Sequence, residues 1–217
     1  MTLTKNEPTG ASRYAHNSIR PHTSGYLWNP ILAGIEREAA RLGRAPRIVD
    51  LGCGAGFFLS ELAARGYDVT GVDPADSAVR IFRESGRPGR MEQGQADETL
   101  AARVGQFDII VSMEVVEHVF EPRIYAAAVH ALLVPGGVVI MSTPYHGYLK
   151  NLSIAITNGF DKHFTALWDY GHIKFWSRAT LTTLLEEQHL RVERFERVGR
   201  ALPALAKSMI LYARRDK

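Results

Sequence analysis

A short apolar run that breaks into a glycine turn, with a second run behind it that closes on an acid, narrows the folds open to this chain. The first is Ile48-Val49-Asp50-Leu51, followed by Gly52-Cys53-Gly54-Ala55-Gly56; the second is Val69-Thr70-Gly71-Val72, closed by Asp73 seventeen residues after Gly56. A buried strand gives way to glycines where a ligand must approach the backbone and a side chain would clash. The next strand ends in a carboxylate where a ribose has hydroxyls to donate. Together they predict an α/β sheet with a nucleoside at its strand ends.

The spacing separates two kinds of nucleoside. Dinucleotide folds use G-x-G-x-x-G and hold a pyrophosphate on a helix N-terminus. Here the order is D-x-G-x-G-x-G, with Asp50 two residues before the first glycine. A carboxylate at that mouth would repel a pyrophosphate. It suits a cation instead, and S-adenosylmethionine carries a sulfonium and an ammonium but no phosphate. The glycine run also fits a plain strand-to-helix turn of any α/β domain.

With 217 residues, 46% of them hydrophobic, the chain supports one domain with a sizeable core. No segment reads as a signal peptide or a membrane span, so the expectation is a cytoplasmic protein. Cys53 is the single cysteine, which excludes an internal disulfide framework. Lying in the glycine turn, it is expected to pack there as a small apolar residue. A net charge of +3, scattered along the chain, speaks against a nucleic-acid partner.

Residues 1–12 are polar and without period, an arm that continues through the aromatic-rich stretch to Trp28 (Tyr14, His16, Arg20, His22, Tyr26). The main domain is placed at 29–217, with the arm at 1–28 as a lid. Ile31, Ile35, Ala39 and Leu42 share a helical face, so a helix is expected from about Pro30. Strands at 47–51, 68–73, 91–95, 107–113 and 137–143 alternate with helices at 57–64, 75–84 and 124–132, which predicts a parallel sheet covered on both faces. Pro135-Gly136-Gly137 turns into the fifth strand. Residues 145–176 form an insertion with amphipathic pieces at 148–157 and 164–168. Ser177 then caps a helix bearing Leu181, Leu184 and Leu185. Strands at 192–198 and 208–213 follow with no long helix between them, so they can pair antiparallel. The expectation is a mostly parallel seven-stranded sheet with an antiparallel C-terminal hairpin and a small helical cap.

The fourth strand runs into Glu114-Val115-Val116-Glu117-His118 at the floor of the cleft. A helical turn starting at Glu114 would project residues 114, 117 and 118 from one face. Two carboxylates and an imidazole there can bind a divalent cation, act in proton transfer, or simply support a helix start.

These residues together resemble the class I S-adenosylmethionine-dependent methyltransferases over roughly 28–217. The carriers are the Asp50–Gly56 loop, Asp73, Met113–His118 and Leu133-Val134-Pro135-Gly136-Gly137. The chain is most similar to the ubiquinone-pathway O-methyltransferases, which share Asn29-Pro30, the Met-Glu-x-x-Glu-His run and Ser142-Thr143. Where those enzymes place an arginine two residues after Asn-Pro, this chain has Leu32. The Glu-x-x-Glu-His run is also similar to small-RNA 2′-O-methyltransferases, and Gly171-His172-Ile173-Lys174-Phe175-Trp176 matches their further histidine.

The resemblance implies a Rossmann-like fold and a cofactor site in which Gly52, Cys53 and Gly54 approach S-adenosylmethionine, or its product S-adenosylhomocysteine. Asp50 would face its amino-acid end, Asp73 its ribose, Met113 its flank and Asp97 its adenine; for Asp97 an exposed turn is the alternative. It implies a Mg²⁺-type ion on Glu114, Glu117, His118 and His172, with Glu117, His118 and His172 serving catalysis. The implied acceptor is the hydroxyl of a small aromatic or lipid-tailed molecule. RNA 2′-oxygen, nitrogen or carbon acceptors are the alternatives. The Leu149–Ile156 stretch is too short to span a bilayer but suits a peripheral membrane contact.

Overall fold

Apolar residues filling a short segment on both faces demand cover on both faces, and three segments meet that condition. In β1 (Arg47–Leu51), β2 (Asp68–Asp73) and β4 (Phe107–Met113) almost every residue after the first is buried. The computed structural model describes residues 24–169 and 171–217. With β3 (Arg90–Gln93), β5 (Leu133–Pro144), β6 (Leu190–Val198) and β7 (Ser208–Arg215) these strands form one sheet in the order β3-β2-β1-β4-β5-β7-β6. β1 to β5 pair in parallel. β7 runs antiparallel to both β5 and β6, so the expected C-terminal pairing is present with β7 on the inside.

Helices cover both faces. On one side α1 (Gly25–Leu42), α2 (Phe57–Ala64) and α3 (Asp76–Glu84) bury Leu27, Ile31, Ile35, Phe58, Leu62 and Phe82. On the other, α4 (Leu100–Val104), α5 (Pro122–Leu132) and α8 (Arg178–Glu186) bury Leu100, Val129, Leu132, Leu181 and Leu185. Fully burying side chains of this size contributes roughly 1.5–3 kcal/mol each. Ser177 caps α8 as expected, through a capping box in which its hydroxyl accepts from the Thr180 amide.

Two boundaries differ from the sequence pattern for visible reasons. α1 starts at Gly25, five residues before the expected start at Pro30, because Leu27 extends the Ile31–Ile35 face and is fully buried. The arm boundary at residue 28 thus falls inside α1, and Tyr14, His16, Arg20 and His22 lie outside the described residues. β5 begins at Leu133 instead of 137. Leu133 pairs with Phe107, and the ladder then resumes at Val138 opposite Ile109, so the Pro-Gly-Gly turn is an excursion within the strand.

After β5 the packing thins. α6 (Tyr148–Ile156) and α7 (Phe160–Phe164) bury no residue. α7 sits four residues before the expected 164–168, since Phe160 and Phe164 meet at helical spacing, their rings tilted by 46° with centroids 4.4 Å apart. Thr165, in the left-handed region at φ 44°, ends it.

Candidate functional site

The loop after β1 lies at the carboxyl ends of the parallel strands. Gly52 adopts φ 78°, and a Cβ there would sit 2.5 Å from the Val115 side chain. Gly54 has φ 53° with open space where its side chain would be, which leaves a cradle beside the backbone. Its amide donates to Asp73 Oδ2 at 2.8 Å, and the Ala75 amide donates to Oδ1 at 2.9 Å. The turn and the acid ending β2 are therefore one unit.

Asp50 lies beneath them, 2% exposed. The Leu59 backbone amide reaches its carboxylate, but Oδ2 is buried without a partner among the described residues. Burial, and then the Asp73 charge, push its pKa up to about 7. An orphaned carboxylate oxygen next to a second carboxylate answers a ligand bearing positive charge, so the notch fits the ammonium and sulfonium of S-adenosylmethionine. Cys53 packs against the apolar core, and burial raises its thiol pKa well above the usual range, as its small-apolar role requires. Met113 packs on the same cluster at the end of β4. Asp97 lies in the turn between β3 and α4, where its Oδ1 accepts from the Thr99 amide and hydroxyl at 2.9 and 2.7 Å.

Past Met113 the chain does not begin a helical turn at Glu114. Its amide keeps to the sheet, donating to the Ser142 carbonyl at 3.2 Å and to Ser142 Oγ at 3.1 Å, which holds Glu114 at φ 55°. Such a backbone costs roughly 1–3 kcal/mol in a residue with a Cβ and tends to mark functional sites. A single 3₁₀ turn then follows at Val116–His118. As a result the expected set of four splits. The Glu114 carboxylate accepts from Ser142 Oγ at 2.9 Å and Ser208 Oγ at 3.2 Å, with the Tyr26 hydroxyl 2.7 Å behind Ser208.

Glu117, His118 and His172 converge: their candidate ligand atoms all lie within 4.8 Å of one another. The 171–176 segment is laid over the 3₁₀ turn by its own hydrogen bonds. The Ile173 and Lys174 amides donate to the Glu117 carbonyl at 2.9 and 3.0 Å, and Trp176 Nε1 donates to the Val116 carbonyl at 3.2 Å. His118 Nδ1 lies 3.2 Å from the Gly171 carbonyl oxygen, to which it donates. The two imidazole rings meet edge to face at 4.9 Å.

Glu117 is fully buried. Its Oε2 accepts from Thr143 Oγ1 at 3.0 Å; Oε1 has no hydrogen-bond partner among the described residues and faces His172 Nε2 at 4.0 Å. Burial, and then the Glu114 charge, raise its pKa well above the carboxylate range. Burial, and then His118, lower that of His172 to about 4. Both groups are thus driven toward their neutral forms, and the 4.0 Å contact is not an ion pair. A neutral imidazole beside a buried carboxyl can accept a proton or ligate a cation.

The polar residues supporting this centre, Thr143 and Ser208, were not singled out as partners of Glu117 and Glu114 from the sequence. A serine opening the apolar run Ser208-Met209-Ile210-Leu211, at the end facing the cleft, is the signal that could have found one of them.

Residues 25–194 match the family model described as a methyltransferase domain. A ubiquinone biosynthesis O-methyltransferase of Aromatoleum aromaticum is 39% identical over 120 residues, 53% of this chain and 50% of that protein. The chain thus spans about half the length of such relatives. Its counterpart from Dinoroseobacter shibae is 31% identical over 193 residues, covering 85% of this chain and 76% of that one. Among solved structures, the magnesium protoporphyrin IX methyltransferase from Synechocystis with bound S-adenosylhomocysteine superposes with a TM-score of 0.64 at 16% identity, covering 94% of this chain and 91% of that one. A Mesorhizobium loti S-adenosylmethionine-dependent methyltransferase gives 0.62 at 20% identity, with coverage of 88% and 99%. At these identities the likeness is one of fold.

Proposed function

Because this chain belongs to the class I S-adenosylmethionine-dependent methyltransferases, we propose that it methylates a hydroxyl of a small aromatic or lipid-tailed molecule at the Glu117-His118-His172 cluster. The observation that supports this most is the orphaned, fully buried Glu117 Oε1 facing two imidazoles at the carboxyl end of β4. S-adenosylmethionine, when bound, supplies an electrophilic methyl on a cationic sulfur. Asp50 answers its positive charge, and Asp73 lies at the ribose end of the notch. Gly52, Cys53 and Gly54 form the backbone wall, Met113 packs on its flank, and Asp97 is the adenine-side candidate.

The chain's remaining task is to hold the acceptor oxygen at near-attack distance and relieve it of a proton. Positioning of this kind can supply roughly 7–11 kcal/mol. His118 is oriented by the Gly171 carbonyl, and His172, driven toward its neutral form, stands beside it. The Glu117 carboxyl, fixed by Thr143, stabilises positive charge that develops on either ring.

The same three residues would hold a divalent cation, which would lower the pKa of the acceptor hydroxyl. Two imidazoles to one carboxylate suit Mn²⁺ or Zn²⁺ better than Mg²⁺, which prefers oxygen donors. Glu114 would join only by giving up Ser142 and Ser208.

A screen of catechols and phenols with labelled S-adenosylmethionine tests the reading, before and after EDTA and with Mg²⁺, Mn²⁺ or Zn²⁺ restored. Label appearing on a hydroxyl supports it. Turnover undiminished by EDTA removes the cation, and full activity in Glu117→Gln removes the cluster.

A further inference from the structure

Trp168 touches both imidazoles of the cluster. Its ring centroid lies 5.5 Å from that of His172, inclined at 58°, and 6.4 Å from that of His118, edge to face at 88°. With 4.9 Å between the two imidazoles, the three rings close a triangle. Trp168 nevertheless remains half-exposed, and Leu167 beside it is almost wholly so. A tryptophan has a large apolar surface to bury, yet α7 just before it buries no residue. Core packing does not account for where Trp168 stands.

The backbone places it. Thr165, at φ 44°, turns the chain out of α7, and the Trp168 amide donates to its carbonyl at 2.9 Å. A residue with a Cβ adopts that conformation at a cost. The Gly171 amide then donates back to the Trp168 carbonyl at 3.0 Å, closing a second turn. A Cβ on Gly171 would lie 2.9 Å from that carbonyl oxygen and 3.1 Å from the indole, so the turn keeps this form only around a glycine. The same glycine accepts from His118 Nδ1 through its own carbonyl, and the next residue is His172. One turn thus meets His118 through the backbone and both imidazoles through the indole.

We infer that Trp168 is a positioning residue of the cluster: its indole walls one side of the His118–His172 pair, holding both rings in one arrangement and limiting the access of water to them. The inference deepens the methyl-transfer reading and rests on it for the part Trp168 plays in turnover. An imidazole already held in the productive arrangement loses less freedom when its ligand arrives. Because the contact is made by ring shape and area, phenylalanine should replace most of it and alanine none.

The first measurement needs no turnover: carbethoxylation of the purified protein by diethyl pyrocarbonate, followed at each histidine by peptide mass spectrometry. The exposed His189 serves as the internal standard. Trp168→Ala should speed modification of His118 and His172 several-fold relative to His189, and Trp168→Phe much less. The second measurement is steady-state kinetics with a hydroxyl acceptor from the screen above. Trp168→Ala should lower kcat at least about tenfold, with the KM for S-adenosylmethionine kept within about twofold and the melting temperature unmoved. Trp168→Phe should retain most of the turnover, and Gly171→Ala, with the indole still present, should reproduce the loss. Unchanged modification rates in Trp168→Ala overturn the proposal. So does acceleration at every histidine alike with a lowered melting temperature, which makes Trp168 a packing residue. Turnover that Trp168→Ala leaves intact would sink this inference alone. Faster modification of His118 and His172 in Trp168→Ala, with no hydroxyl methylated by wild type, would sink the methyl-transfer reading instead and leave Trp168 as the wall of the pair.

Discussion

The two ends of the sheet treat buried acids in opposite ways. At the amino end, Asp108 receives both Arg44 guanidinium nitrogens at 2.8 and 2.6 Å and the Arg47 amide at 2.8 Å. Glu38 is met there by Arg214 at 2.8 and 3.1 Å. Hydrogen bonds from Arg44 pull Asp108 below the usual carboxylate range; for Glu38 burial is the largest single effect, but the hydrogen bonds and charges of Arg214 and Arg41 together outweigh it and do the same. At the carboxyl end, Asp50 and Glu117 each keep a buried oxygen without a hydrogen-bond partner among the described residues, and burial raises both. An acid that the fold satisfies stabilises the fold; an acid that it leaves unsatisfied is held for something that arrives later.

Four substitutions sharpen or break this contrast. The largest effect falls on Glu117→Gln: turnover drops by at least about 100-fold. Stability is kept, and raised at alkaline pH, because the buried side chain can no longer be forced to ionise. A melting temperature that collapses together with activity would place Glu117 among the structural acids instead.

Asp50→Asn comes next, through ligand binding and pH. The folded pKa of Asp50 is near 7, against about 4 in the unfolded chain. The native state therefore binds the proton more tightly, and the unliganded protein loses stability as pH rises from about 4 through 7. Removing the charge should raise the melting temperature most at pH 8.5, less at pH 5 and not at all near pH 3.5, while abolishing the thermal shift given by S-adenosylhomocysteine. Parallel melting profiles across that range would refute the contrast at this position.

Asp108→Ala should do the reverse, costing about 2 kcal/mol of stability with turnover per folded molecule intact. Because its folded pKa is depressed, the stability it confers is present above about pH 4 and is lost as pH falls below that. Urea unfolding at pH 7 and pH 3.5 reads both limbs. The smallest effect belongs to Ser208→Ala, which takes one hydroxyl from between Tyr26 and Glu114. A shift under about 1 kcal/mol in urea unfolding is expected, with activity changed by no more than a few fold.

What the sequence disclosed follows the same division. β1, β2, β4 and α2 lie at the expected residues because burial on both faces, or on one helical stripe, writes itself into the order of apolar residues. The glycine turn was legible because its backbone geometry excludes other residue types. The start of α1 is not legible at Pro30, because the Leu27 packing face carries the helix back through it to Gly25. The cap was least legible. Its aromatics contact one another at the surface, so no period set by a core fixes where α7 lies. Glu114 diverged for a similar reason: a hydrogen bond to Ser142, distant in sequence, overrode local helical spacing, and the cluster became three residues where four were expected.

The placement of β7 reaches beyond the site. It follows every other described strand in the chain, yet it forms the seam between β5 and β6. Until it threads in, both neighbours present a bare ribbon of amides and carbonyls, β5 apolar along most of its length. A nascent chain must therefore wait with its sheet parted down one side, which makes that interval the moment of greatest exposure to self-association and to chaperones.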